Sequence, residues 1–162
     1  AYVDGMDALD PASAATAGVG LSALLCVECA GRLPTALGAA GLLARCPGFS
    51  LIVLDLDDLG PVPFAAQIRL QRAVEDSDAA LVVHTARHRE GNPASLVVTA
   101  RGLAPRWRGL RPLIRLGGLR SEVSIARSRI HPSSLSPLGS GPGERAGRER
   151  VEGQTWALDW TL

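Results

Sequence analysis

Four aliphatic residues, Leu51-Ile52-Val53-Leu54, follow one another without a polar break and stop at a carboxylate, Asp55. A strand with one face in water alternates apolar and polar side chains. An unbroken run needs apolar surroundings on both faces, as inside a parallel sheet. Residues 79–83 repeat the pattern and stop at His84, and residues 1–3 and 24–28 read as two further strands. Helical patterns lie between them. Asp10-Pro11 is a helix start, with a carboxylate N-cap before a proline whose missing N–H costs nothing in the first turn. That helix is predicted over 12–17 and stops at Gly18. Residues 34–45 carry Ala and Leu at helical spacing, and residues 63–75 pair Phe64 with Ile68 and Leu70 with Val74 at i, i+4. This alternation predicts an α/β fold, a mostly parallel sheet with helices on both faces.

Beyond His84 the pattern changes. Residues 85–92 read as a polar loop, and 93–100 suit either a short helix after Asn92-Pro93 or a strand through Leu96-Val97-Val98. Residues 120–127 alternate Val123 and Ile125 with polar neighbours, as a half-exposed strand does, and Trp156-Ala157-Leu158-Asp159-Trp160 alternates likewise. Antiparallel strands are therefore expected toward the C-terminus. Residues 131–150, rich in Ser, Pro, Gly and Arg, have no period and are expected to form a flexible loop. The expected organisation is an α/β core over 1–130, that loop, and a C-terminal strand over 151–162.

Composition narrows the chemistry. With 46% hydrophobic residues in 162, the chain can bury a core and is no disordered or collagen-like sequence. No apolar run approaches the ~18 residues a membrane helix needs, so no membrane partner is expected. All 17 basic residues are Arg. Without Lys the chain holds neither a complete Walker A phosphate loop nor a Schiff-base lysine. Charge is unevenly spread: residues 1–100 hold 6 Arg and 11 acids, a balance of −5, and residues 101–162 hold 11 Arg and 5 acids, a balance of +6. The basic part is the place to look for an anionic partner, nucleic acid included. Three Cys and no export-signal pattern suggest a reducing cytoplasm. Ala1, in place of a Met, reads as the start of a fragment.

Asp55 is the most informative single residue. A carboxylate at the tip of a hydrophobic strand stands where open α/β sheets place their ligands, and it has the form of a Walker B aspartate, which holds Mg²⁺. The same stretch, Asp55-Leu56-Asp57 followed by Asp58-Leu59-Gly60, also resembles the first motif of haloacid-dehalogenase-type phosphatases, although that family's phosphate-neutralising Lys has no counterpart here. His84 and His88 flank Arg87 just past a strand end, where His84 is placed to meet a ligand. Cys26-Val27-Glu28-Cys29 is a lone CxxC without a second pair. On a strand its thiols would face opposite sides, which disfavours a metal or redox role.

Read in order, several segments resemble bacterial RecA recombinases. Tyr2-Val3-Asp4-Gly5-Met6-Asp7-Ala8-Leu9-Asp10-Pro11 is similar to that family's second core strand and turn. Gly18-Val19 with Leu24-Leu25-Cys26-Val27 is similar to the next strand, Leu51 to Asp55 to the Walker B strand, residues 68–87 to the helix and strand leading to the sensor segment, and Val123-Ser124-Ile125-Ala126-Arg127-Ser128-Arg129-Ile130 to a late strand. The departures narrow the resemblance. The family's catalytic Glu falls on Met6, its adenine-stacking aromatic on Ser13, the hydroxyl after the Walker B Asp on Leu56, and its sensor Gln on Thr85. Its two Lys that reach a neighbouring subunit's nucleotide fall on Arg127 and Arg129, so their charge is kept, and the base-contacting Asp is kept as Asp10.

This pattern is similar to the degenerate RecA-like proteins encoded beside Y-family polymerases in bacterial mutagenesis cassettes (ImuA-type). Asp10-Pro11-Ala12-Ser13-Ala14-Ala15, Arg69-Leu70-Gln71-Arg72-Ala73-Val74-Glu75 and Ala94-Ser95-Leu96-Val97-Val98 carry that likeness. The resemblance implies a RecA-like core without its P-loop segment, and a non-catalytic or weakly catalytic accessory in DNA repair and damage-induced (SOS) translesion synthesis. Its implied partners are a Y-family polymerase or a recombinase, and single-stranded DNA. Asp10, Asp55 and Thr85 would be the remains of a nucleotide and Mg²⁺ site, and Arg127 and Arg129 inter-subunit or anion-binding residues. ATP and Mg²⁺ would bind only together with an upstream P-loop. The alternative is an ATP-dependent, single-stranded-DNA-binding recombinase, with Asp4 or Asp7 replacing the lost Glu. Because the family's P-loop strand is central in its sheet, two buried strands are expected to lack a neighbour here, leaving this chain marginally stable alone.

Overall fold

The computed structural model of the chain describes residues 1–86, 92–110, 113–129 and 155–161. It divides into two compact units, Ala1–Pro93 and Ala94–Leu162. The first holds strands β1 (Tyr2–Asp4), β2 (Cys26–Glu28), β3 (Leu51–Asp55) and β4 (Ala80–His84), with helices α1 (Pro11–Thr16), α2 (Leu33–Leu43) and α3 (Phe64–Glu75). The second holds strands β5 (Leu96–Arg108), β6 (Arg115–Ser128) and β7 (Thr155–Thr161).

The four strands of the first unit are parallel and ordered β2-β1-β3-β4. Paired residues of a parallel ladder point to the same side, so Val3, Val27, Leu54 and Val83 form one row and Ile52 and Leu81 the next. Against this face α2 turns Ala36, Ala40 and Leu43, and α3 turns Leu70 and Ala73. The small alanines of α2 let it come close to the sheet, and Ile52, Leu54 and Val3 are wholly buried beneath the helices. α1 starts where the sequence predicts: the Asp10 carboxylate accepts the N–H groups of Ala12 (3.2 Å) and Ser13 (3.0 Å), and Pro11 opens the first turn.

α2 and α3 pack closely on one face, and α1, in the β1–β2 connection, adds little cover to the sheet. α1 has six residues, none buried, and packs on the 3₁₀ turn over Leu21–Ala23. On the face opposite α2 and α3, Leu51 and Val82 remain about half exposed. The unbroken aliphatic run of β3 therefore overstates its cover. β1 and β3 each have partners on both sides, and the open edges of this sheet, among the described residues, belong to β2 and β4.

In the second unit the strands are antiparallel, ordered β5-β6-β7. Residues 94–129, which sequence reading joins to the parallel-sheet core, cluster with the C-terminal strand instead. The ambiguous residues 93–100 begin β5, and β5 and β6 extend well past the predicted limits, pairing from Leu96 with Ser128 to Arg108 with Arg115. Gly102 and Pro105 disguise this strand in the sequence. The structure tolerates them because β5 is an outer strand and the ladder slips at three irregularities, near Val97, Gly102 and Arg106. Val97 and Ile125 are the buried apolar residues of this unit among those described. The loop expected over 131–150, and His88, lie outside the described residues.

At Gly5 the N–H donates to the Asp55 carbonyl (2.8 Å), and an added Cβ would stand 2.4 Å from that oxygen and 2.7 Å from Leu59 Cδ1. Gly5→Ala is expected to destabilise the first unit by roughly 1–3 kcal/mol, read as a lower urea midpoint at unchanged slope. Wild-type stability would show that β1 and β3 part easily there.

Candidate functional site

The chain leaves β1 for β2 on one side and crosses back over β1 to reach β3 and then β4. With right-handed crossovers, the β1–β2 connection lies on one face and the next two on the other. The connections diverge between the carboxyl ends of β1 and β3, which is where open α/β sheets leave a crevice for ligands. Register brings Asp4 beside both Glu28 and Asp55, and Asp55 beside His84.

Asp55 is held from three directions. The Tyr2 hydroxyl donates to Oδ2 (2.5 Å), His84 Nδ1 lies 2.8 Å from Oδ1, and the Asp57 N–H donates to Oδ1 (3.2 Å). Tyr2 reaches it because residues two apart on a strand share a face. Burial alone would raise the Asp55 pKa. The hydrogen bonds from Tyr2, His84 and Asp57 outweigh it and hold the carboxyl below the ordinary carboxylate range. An ionised carboxylate only accepts, so Nδ1 of His84 carries a proton toward it, on a side chain that is 61% exposed. Tyr2 is driven the other way, its phenol pushed well above its usual range by burial and then by Asp55.

The surrounding loops are tied by two more carboxylates. Asp4, only 2% exposed, accepts the N–H groups of Met6 (3.2 Å), Ala8 (3.1 Å) and Leu9 (2.7 Å). Asp7 accepts those of Cys29 (2.9 Å) and Ala30 (3.0 Å), joining the loop after β1 to the loop after β2. Asp7, Ala30 and Asp57 all adopt positive φ, at 56°, 50° and 38°. Each lies within three residues of a strand's carboxyl end. Such left-handed conformations cost on the order of 1–2 kcal/mol per residue, and the carboxylate bonds around them hold the loops in place.

The residues singled out from sequence are thus dispersed. Asp55 and His84 meet directly. Thr85 follows β4 at the same end of the sheet, where the Leu56 N–H donates to the His84 carbonyl and the Ala86 N–H to the Asp57 carbonyl. Asp10 caps α1, its carboxyl held below the usual range by the Ser13 hydroxyl and then the Ser13 and Ala12 N–H groups. Arg127 and Arg129 belong to the second unit, where Arg127 Nη2 donates to the Ala94 carbonyl (3.3 Å) and the Arg129 N–H to the Ser95 carbonyl (2.7 Å). Met6 is about half exposed in the loop after β1, and Leu56 is fully buried. Cys26 is exposed on β2 and Cys29 buried just past its end, so the strand expected to carry both thiols stops short of the second. Tyr2 was not legible as a site residue. Its one signal is an aromatic hydroxyl two residues before a strand's end.

Among the described residues no three His, Cys, Asp or Glu side chains converge as a metal-binding group. A separate cleft of about 540 Å³ opens away from the crevice, between the α2–β3 connection at Arg45, Cys46 and Phe49 and the last turns of α3 at Arg72 and Asp76. No protein-family model matches the chain, and no curated protein sequence matches it.

Tyr2 is the single tyrosine, so its ionisation can be followed by phenolate absorbance in the intact chain. It is expected to titrate well above the ordinary ~10 of a free phenol and to fall toward that value in Asp55→Asn. An ordinary wild-type titration would mean that the Tyr2–Asp55 bond does not form.

Asp55 also sets an acid limit. Its folded pKa lies below the unfolded ~3.9, so its contribution is full above that value and is lost as pH falls through the folded pKa. Urea midpoints are expected to fall below about pH 4, and less steeply in Asp55→Asn. An identical acid limb in the variant would assign the loss to other carboxylates.

Proposed function

We propose that the chain is a RecA-like accessory protein of DNA damage tolerance, acting through protein and DNA contacts rather than through ATP turnover. The observation that carries this reading is the occupancy of the crevice between β1 and β3. Its strand-tip carboxylate, Asp55, is engaged by Tyr2 and His84, and the position of a water-activating Glu is held by Met6. A thioether cannot take a proton from water. Against Asp4 or Asp7 replacing it, both Asp4 oxygens and Asp7 Oδ1 accept backbone N–H groups that shape the loops. The parallel order β2-β1-β3-β4, with Asp55 and Thr85 at one end, supports the RecA-like assignment of the first unit.

On this reading Asp10 and Asp55 are remnants of a nucleotide site, now used to cap α1 and to anchor Tyr2 and His84. The chain is expected to bind a purified Y-family polymerase or a RecA-type recombinase saturably on a sensor surface. ATP hydrolysis is expected to stay at background with or without single-stranded DNA. DNA-stimulated turnover that disappears in Asp55→Asn would overturn the proposal in favour of an active recombinase.

A further inference from the structure

The β5–β6 hairpin sorts its side chains into two rows of opposite chemistry. Arg108 pairs with Arg115, Trp107 with Leu116, and Arg106 with Gly118. Paired residues share a side and successive residues alternate, so Arg108 and Arg115 share one face and Trp107 and Leu116 the other, while Arg106 lies beyond the slip in the ladder between Arg106 and Trp107. The three Arg are exposed, as is Trp107 at 63%. Glycines shape the charged face. Gly118 puts no side chain opposite Arg106, and the stem of Arg108 lies over Gly117, where a Cβ would meet Cγ at 2.5 Å. The Leu113 N–H donates to the Leu110 carbonyl (2.8 Å), and Gly109 takes φ 107°. Leu110 and Leu113 stand 87% and 83% exposed beside it.

A bare Trp and two bare Leu at one hairpin end mark a binding surface. Charge chooses the class of partner: residues 95–121 hold six Arg and no acid. The two-faced layout narrows it further. A lipid surface that took up the Trp107 face would leave the guanidiniums pointing away from its headgroups. A duplex offers phosphates but keeps its bases stacked within, with nothing for Trp107. A single strand offers phosphates along one side and unstacked bases along the other. Among the described residues β5 is an outer strand of its sheet, so a nucleotide chain following that edge meets Arg108 with a phosphate and folds a base over onto Trp107.

We propose that the β5–β6 hairpin is a binding arm for single-stranded DNA, with Arg108 and Arg115 on the phosphates and Trp107 stacking a base beside Leu110 and Leu113. The choice of DNA over RNA rests on the function proposed above, and the rest follows from the hairpin itself.

The test is fluorescence anisotropy of a labelled oligothymidylate with the full chain over a range of salt. Binding is expected to weaken with salt by a log–log slope of about −0.7 per phosphate contacted. Arg108→Gln with Arg115→Gln is expected to make that slope shallower by about 1.4, and Arg108→Lys to keep it. Trp107→Ala is expected to weaken binding roughly 5- to 150-fold with the slope unchanged, the range of one lost stacking contact. Circular dichroism and the Tyr2 titration report whether each variant has folded. Equal affinity of all variants, tighter binding of duplex than of oligothymidylate, or Trp107-dependent binding to phosphatidylserine vesicles in its place would overturn the arm. Tighter binding of oligouridylate would overturn the choice of DNA. Polymerase and recombinase binding is measured without DNA, so the arm and the accessory function fail independently.

Discussion

The close approach of β1 and β3 at Gly5 and Asp55 governs the first unit. Gly5 donates its N–H to the Asp55 carbonyl with no room for a side chain between them, and its own carbonyl accepts from Gly31 after β2. Three strand ends are thereby drawn to one point. Once they are, short carboxylates suffice to organise the loops, because backbone N–H groups of neighbouring turns come within reach of Asp4 and Asp7. Tyr2 and His84 then find Asp55 from either side on one face of the sheet. Had β1 stood farther from β3, each of these carboxylates would face water and the three positive-φ residues would lose their restraint.

This geometry bears on how a strand-tip aspartate is to be read. In an open α/β sheet such a residue commonly serves a ligand. Here both oxygens of Asp55 are spoken for by groups of its own unit, and the order they impose is structural. The two units also divide the electrostatics. The acids gather in the region of the parallel sheet, and the Arg-rich segment builds a hairpin with a charged face and an apolar face.

Much of the first unit was legible from residue pattern. Asp10-Pro11 located α1 because capping depends on neighbours two and three residues away. Aliphatic runs located β3 and β4, and helical spacing located α2 and α3, because apolar burial is periodic along each element. The second unit was far less legible. Gly102 and Pro105 read locally as breaks, yet an outer strand that slips its register accepts both. The open face of the parallel sheet was also hidden, since an aliphatic run says what a strand avoids and not what covers it.

Local chemistry along the chain was enough to set the parallel α/β class, the cap of α1, the Asp55 and His84 positions at strand ends, and the lack of a Lys-based phosphate loop. These depend on spacing within a few residues, which is written in the primary order. Tertiary structure alone decided that Tyr2 and His84 would share Asp55, that Asp4 and Asp7 would bind backbone rather than solvent, and that Arg108 and Arg115 would line one face of a hairpin. Those outcomes depend on register between segments far apart in sequence. A slip of one residue there would turn each side chain to the other face.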